Sequence, residues 1–304
     1  MTKWTIEQIG YLKGNRIIIT GGASGIGLAA ADVLASKGAG LVLAVRSAVK
    51  GEKAAEKIMT RHPGADVAVM HLDLGDLASV RQFAADFTGR FDRLDILINN
   101  AGVMVPPYKK TKDGFELQFG TNHLGHFALT ARLLPLLMAT PHSRIVTVSS
   151  IAARNARINF NNLDGSHGYN PMTFYRQSKL ANLLFGTELQ HRLDRAGSGT
   201  VSILCHPGIS VTNLLSRGSG KETGKLMKSL MSIVAQPAEK GALPTLYAAT
   251  HPDLRGGEYI GPDGPRNTKG NPVKTNDVSK LFKADLSSKL WEVSESLTGV
   301  KYPI

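Results

Sequence analysis

Cysteine is almost missing from this chain: its 304 residues include a single one, Cys205. A lone thiol cannot close an internal disulfide, so no covalent staple holds the fold. Its place in the apolar run Val201-Ser202-Ile203-Leu204-Cys205 marks a buried strand residue rather than a nucleophile. Long apolar runs are missing as well. None reaches the ~18 residues that a bilayer span requires, and the N-terminal stretch carries no basic-then-apolar signal order. Together with a cysteine count that permits a reducing compartment, this leads to the expectation of a cytoplasmic protein with no membrane anchor. Internal repeats and low-complexity linkers are also lacking, and residues 1–304 are read as one domain.

Acidic residues are outnumbered, 24 Asp and Glu against 36 Lys and Arg, for a net charge of +12. The excess is dispersed in small clusters at Lys109-Lys110-Thr111-Lys112, Lys221 to Lys228 and Arg266 to Lys274. With aromatics at only 6 %, none of these clusters interleaves with rings in a nucleic-acid motif. A solvated basic surface is expected, with no nucleic-acid partner.

What is present is a regular alternation. Arg16-Ile17-Ile18-Ile19-Thr20 reads as a buried strand, a helix follows from Leu28 to Lys37, and Leu41-Val42-Leu43-Ala44-Val45 repeats the strand pattern. Helices at 48–61, 76–89, about 113–138 and 172–196 then alternate with strands at 66–72, 94–98, 144–149 and 200–205. Pro237 to Thr250 has helical spacing, Gly256 to Ile260 looks like a last short strand, and Lys289 to Leu297 a terminal helix. This predicts an α/β fold with a doubly wound parallel sheet of about seven strands. Residues 213–236, with Gly218, Gly220 and Gly224 among apolar and basic side chains, are expected to form a lid over a substrate pocket. The apolar pattern from Leu180 to Leu193 suits an internal core or a partner helix equally, which leaves a homo-oligomer open.

The first strand opens onto Thr20-Gly21-Gly22-Ala23-Ser24-Gly25-Ile26-Gly27. Glycines between a strand and a helix let the backbone approach a pyrophosphate, which then rests on the helix N-terminus. The second strand ends at Arg46, where an acidic residue would bond the ribose of NAD and an arginine accommodates the 2′-phosphate of NADP. NADP(H) is therefore expected in preference to NAD(H). Asp73, followed by Leu74, is placed to bond adenine unless it caps the next helix, a task that Asp76 could take instead. Asn99-Asn100-Ala101-Gly102 closes the fourth strand with small residues that let a ribose lie close.

Chemistry enters at mid-chain. Thr147-Val148-Ser149-Ser150 ends one strand, and Tyr175 and Lys179 follow on a helix with the spacing Tyr-x-x-x-Lys. Positions i and i+4 share a helix face, so both point into one cleft. An ammonium beside a phenol favours the phenolate, which suits Tyr175 to general acid/base work. Ser150 could hold a substrate oxygen.

The combination resembles the short-chain dehydrogenase/reductase family. It is carried by Thr20-Gly21-x-x-x-Gly25-Ile26-Gly27, Asp73, Asn99-Asn100-Ala101-Gly102, Asn122, Ser150, Tyr175-x-x-x-Lys179 and Pro207-Gly208-x-x-x-Thr212, over residues 15 to 212. Phe119 to Phe127 and Tyr175 to Asn182 are similar to the retinol-dehydrogenase-like branch, near the protochlorophyllide reductases. The resemblance implies a Rossmann-type domain and an oxidoreductase that interconverts a small-molecule alcohol and carbonyl. It implies Tyr175 as acid/base, Ser150 as the group that polarises the substrate oxygen, and Lys179 as the group that lowers the tyrosine's pKa and bonds the nicotinamide ribose. It further implies that Asn122 holds a relay water, and that Pro207, Gly208, Ile209 and Thr212 bind the nicotinamide carboxamide. No metal is expected. The membrane-bound retinoid enzymes carry an N-terminal hydrophobic anchor that this sequence lacks, so retinoid specificity is not carried over. Reduction of a carbon–carbon double bond, or NADP(H) sensing without catalysis, are the alternative readings.

Overall fold

The structure is a computed structural model that describes residues 3–209, 236–276 and 281–304. Its strands are β1 (Arg16–Thr20), β2 (Gly40–Val45), β3 (Val67–His71), β4 (Ile96–Asn99), β5 (Arg144–Val148), β6 (Val201–Cys205), β7 (Tyr259–Pro262) and β8 (Pro272–Thr275). They form one sheet in the order β3-β2-β1-β4-β5-β6-β7-β8. Every pairing is parallel except β7 with β8. The chain winds outward from β1 to β3, then returns to lay β4 on the other side of β1. That reversal opens a crevice beyond the carboxyl ends of β1 and β4, where α/β sheets take their ligands.

The strand sequences explain the layering. Successive side chains of a strand face opposite sides, and both sides of this sheet are covered. Ile17 and Ile19 pack with Ala30 and Leu34 of α1 (Gly25–Ser36), Ile58 of α2 (Ala48–Arg61) and Leu246 of α7 (Ala238–Thr250). Ile18 turns the other way, toward Phe83 of α3 (Leu77–Arg90), Phe127 of α5 (Gly125–Ala139) and Phe185 of α6 (Pro171–Arg195). Buried on both faces, the central strands β1, β2 and β4 are largely apolar rather than alternating.

Three details differ from the sequence expectation. The mid-chain helix, expected from about 113, is a short α4 (Leu117–Phe119), then a π turn (Gly120–Leu124), then α5. The sheet has an eighth strand. β8 is an antiparallel edge of four residues, and its Pro272 and Lys274 are residue types that edges tolerate and central strands do not. The terminal helix α8 runs over Ala284–Thr298, longer than expected. The proposed lid falls outside the described residues apart from Gln236. Among the described residues no helix is long and apolar enough to cross a membrane.

α8 explains the apolar run from Leu180 to Leu193: α6 is buried between the sheet and α8. Leu290 packs with Leu180 and Leu184. The Trp291 ring lies 5.2 Å from Phe127, 5.9 Å from Phe185 and 4.4 Å from Tyr302, with the Arg192 guanidinium 4.3 Å over it. Emptying this position should be costly. Trp291→Ala is expected to lower the unfolding free energy by about 3–5 kcal/mol, read as a lower urea midpoint at unchanged slope.

Candidate active site

The glycine-rich turn is shaped by what its glycines must avoid. Gly21 and Gly25 have φ of 69° and 57°, in the left-handed region. A Cβ on Gly27 would sit 2.6 Å from the Asn100 Nδ2 and 2.7 Å from the Gly21 carbonyl. Ala23, Ser24 and Ile26 complete the turn. Ser24 precedes α1 without a side-chain cap, so the first-turn amides of α1 are open to an anionic ligand.

Thr20 ties this turn to the end of β4. Its Oγ1 accepts from the amides of Asn100 and Ala101, each at 2.9 Å, while Asn100 Nδ2 donates to the Thr20 carbonyl at 2.7 Å. With two N–H donors on it, the hydroxyl turns its own hydrogen to His126 Nε2 at 2.9 Å. The other ring nitrogen, Nδ1, lies 2.9 Å from the Asn122 carbonyl, which can only accept. Nδ1 therefore carries the proton and Nε2 does not. Burial pushes the His126 pKa down to about 4, which keeps the ring neutral.

Asn122 sits in the π turn, fully buried. Its Oδ1 accepts from the Val103 amide at 2.8 Å, and its Nδ2 donates to the Val103 carbonyl at 2.9 Å and to Ser178 Oγ at 3.0 Å. The segment Asn100-Ala101-Gly102 is thus pinned from β1 and from the π turn. Gly102 lies against both Asn122 and Lys179, for an added Cβ would be 3.2 Å from Asn122 Oδ1 and 3.7 Å from Lys179 Nζ.

α6 brings the remaining groups. Asn170 caps it by accepting from the Thr173 amide at 2.9 Å, and Pro171 starts it. Tyr175 and Lys179 follow one turn apart and both are buried. Tyr175 is paired with Ser150 in the cleft: burial raises the pKa of the phenol, and the Ser150 hydroxyl lowers it. Ser150 also caps the short 3-10 helix Ile151–Asn155 through the Ala152 amide at 3.2 Å. Lys179 Nζ donates to the Val148 carbonyl at 3.1 Å, and burial pushes its pKa down to about 8. Ser149 Oγ donates to the Lys179 carbonyl at 2.7 Å, fastening α6 to the end of β5.

Around this centre lie the other candidates. Arg46 is exposed at the end of β2, with no ion pair to any described residue, beside the register pair Val45–His71 that leads to Asp73. Asp76 caps α3 through the amides of Ala78 and Ser79, so Asp73 is released from that task. Among the described residues Asp73 Oδ1 accepts only from the Gly75 amide, at 2.9 Å. Leu74 is buried, and Gly125 packs on its carbonyl. Pro207, Gly208 and Ile209 follow β6, whereas Thr212 lies outside the described residues. Those that are described occupy the crevice side of the sheet, and its open amides, exposed arginine and released aspartate fit a nicotinamide dinucleotide. Among the described residues no cluster is placed to hold a metal ion. Sequence reasoning passed over His126 and Ser178; their signal was polar residues facing an apolar helix interior.

A family profile described as short chain dehydrogenase matches residues 15–222. Human retinol dehydrogenase 14 is 38 % identical over 96 % of this chain and 88 % of its own length. Human retinol dehydrogenase 11 is 39 % identical over 95 % of this chain and 87 % of its own. The crystal structure of an uncharacterized protein from Mycobacterium paratuberculosis is 40 % identical, covers 100 % of both chains and superposes with a TM-score of 0.82.

His126 and His123, whose pKa burial pushes down to about 3, make stability sensitive to acid. Their folded pKa values lie below the ordinary 6.5, so the unfolded chain binds more protons in between. Their contribution is complete above pH 6.5 and is lost as pH falls toward 4. His126→Gln is expected to flatten the pH dependence of the urea midpoint in that window relative to the wild type.

Proposed function

The chain belongs to the short-chain dehydrogenase family, whose members act on CH–OH and C=O groups with NAD(P), and from that premise we propose that it uses NADP(H) to interconvert an alcohol and a carbonyl with Tyr175 as general acid/base. The observation that carries this reading is the burial of Ser150, Tyr175 and Lys179 together, with Lys179 one helical turn on from Tyr175 and its Nζ on the Val148 carbonyl at the end of β5. Burial alone holds the phenol protonated, so a cation in the same cleft is needed to make the proton transferable.

In the reductive direction the Ser150 hydroxyl holds the carbonyl oxygen and Tyr175 delivers the proton; alcohol oxidation runs the same transfers backward. Lys179 stabilises the phenolate. A lysine whose pKa is near 8 can also hand a proton to it. Asn122, bound to Ser178 and Val103, holds the relay water between Lys179 and solvent. The bound nicotinamide supplies the hydride. Gly21, Ala23, Ser24, Gly25, Ile26 and Gly27 seat the pyrophosphate, and Arg46 takes the 2′-phosphate. Asp73 and Leu74 flank the adenine. Asn100, Ala101 and Gly102, with Tyr175 and Lys179, line the nicotinamide ribose, while Pro207, Gly208, Ile209 and Thr212 hold the carboxamide. The substrate is a small to medium apolar alcohol or carbonyl. The retinol dehydrogenases among its relatives make retinol and retinal useful members of a first panel.

Two measurements test this. In fluorescence titrations NADPH should bind more tightly than NADH, and Arg46→Ala should erase the difference; equal affinities in the wild type would remove Arg46 from the reading. Tyr175→Phe should retain NADPH binding while turnover of a panel substrate falls by about 10²–10⁴-fold. Unchanged turnover would reject Tyr175 as the acid/base.

A further inference from the structure

Pro207, Gly208 and Ile209 take their shape from a hairpin far along the chain, outside the residues 15–222 that the family profile matches. The tip between β7 and β8, residues 263–271, lies beyond the carboxyl ends of β6 and β7. Its Thr268 carbonyl accepts from the Ile209 amide at 2.7 Å and packs so closely on Gly208 that any Cβ there would collide with it. Gln236 closes the bracket. Its Nε2 donates to the Pro207 carbonyl at 2.9 Å, and its Oε1 accepts from the Gly270 amide at 3.3 Å.

The tip itself is wound tightly. Asp263 donates its amide to the Asn271 carbonyl at 2.8 Å, and Gly264 to Lys269 at 2.9 Å. Arg266 and Asn267 have φ of 54° and 56°, a region that side-chain-bearing residues disfavour unless their surroundings hold them there. Arg154 supplies a hold. It stands four positions after Ser150, in the 3-10 helix Ile151–Asn155. From there its Nη1 donates to the Arg266 carbonyl at 2.9 Å and its Nη2 to Asn267 Oδ1 at 2.6 Å. Asn267 Nδ2 in turn donates to the Pro262 carbonyl at 2.7 Å, tying the tip to the end of β7. One guanidinium therefore joins the segment that carries Ser150 to the hairpin that shapes Pro207–Ile209.

We propose that Arg154 is a positioning residue, which through Asn267 and the Thr268 carbonyl fixes where the nicotinamide is held relative to Ser150. The inference rests on the cofactor reading given above. Arg154 needs no contact with substrate or cofactor for this role, because these two hydrogen bonds end on the hairpin. A charged donor on a carbonyl and an amide oxygen resists displacement by water more than a neutral one.

Isothermal titration of the full chain with two probes tests it: NADPH, and adenosine 2′,5′-bisphosphate, which lacks the nicotinamide. Arg154→Met is expected to weaken NADPH binding about tenfold while adenosine 2′,5′-bisphosphate stays within about twofold. Asn267→Gly removes both side-chain bonds yet suits the positive φ, and should give the same selective loss. Arg266→Gly relieves strain and keeps the carbonyl that Arg154 uses, and should leave both probes at wild-type affinity. Equal weakening of both probes in Arg154→Met and Asn267→Gly would make Arg154 a general structural support and overturn the proposal. Unchanged NADPH affinity in both would overturn it too. A wild type that binds neither probe overturns the cofactor reading, and this inference with it.

Discussion

The hydroxyl of Thr20 is the point on which the site depends. It satisfies two amides at the end of β4 and gives its hydrogen to His126, so three segments distant in sequence share one oxygen. Lost protein–water bonds make such a buried group expensive unless every partner is in place. Here every partner is in place, and the consequences are geometric. The glycine turn and the Asn100–Gly102 strand end are held edge to edge, which forms the floor of the crevice. Through His126 the same contact reaches the Asn122 carbonyl, so the floor and the π turn share one hydrogen-bonded chain.

Electrostatics in the cleft run against both charged forms that the proposed mechanism calls for. Burial raises the pKa of Tyr175 and lowers that of Lys179. Burial therefore disfavours the charged form of each group, while the Ser150 hydroxyl works the other way on Tyr175. Groups shifted in this way change their proton occupancy with small changes in surroundings. The nearby histidines, both neutral, add no competing positive charge.

Much of this was legible in the sequence, because much of it is local. The β-branched run Ile17–Ile19 and the glycines at 21, 25 and 27 specify a strand and a tight turn without reference to distant residues. Spacing and the order of the surrounding motifs single out Ser150, Tyr175 and Lys179 as candidates. What was not legible depends on partners far away. The tautomer of His126 follows from Thr20 and Asn122, and Arg154 meets Asn267 across 113 positions. A π turn adds a residue to a helix without disturbing its apolar pattern enough to be read. The four residues of β8 are a strand only because β7 lies beside them.

The packing of α6 against α8 carries a consequence for how the chain is made. α6 bears Tyr175 and Lys179, yet its outer face is covered by residues more than a hundred positions later. His123 is joined to Ser294, the Leu184 carbonyl to Ser287, and the Phe127 carbonyl to the Tyr302 hydroxyl. During synthesis the first strands and helices can close around their own core while the C-terminus is still inside the ribosome. α6 cannot, since its cover is translated about a hundred residues later. The nucleotide-binding half can therefore assemble first, and α6 is enclosed only after residues 284–302 have been translated.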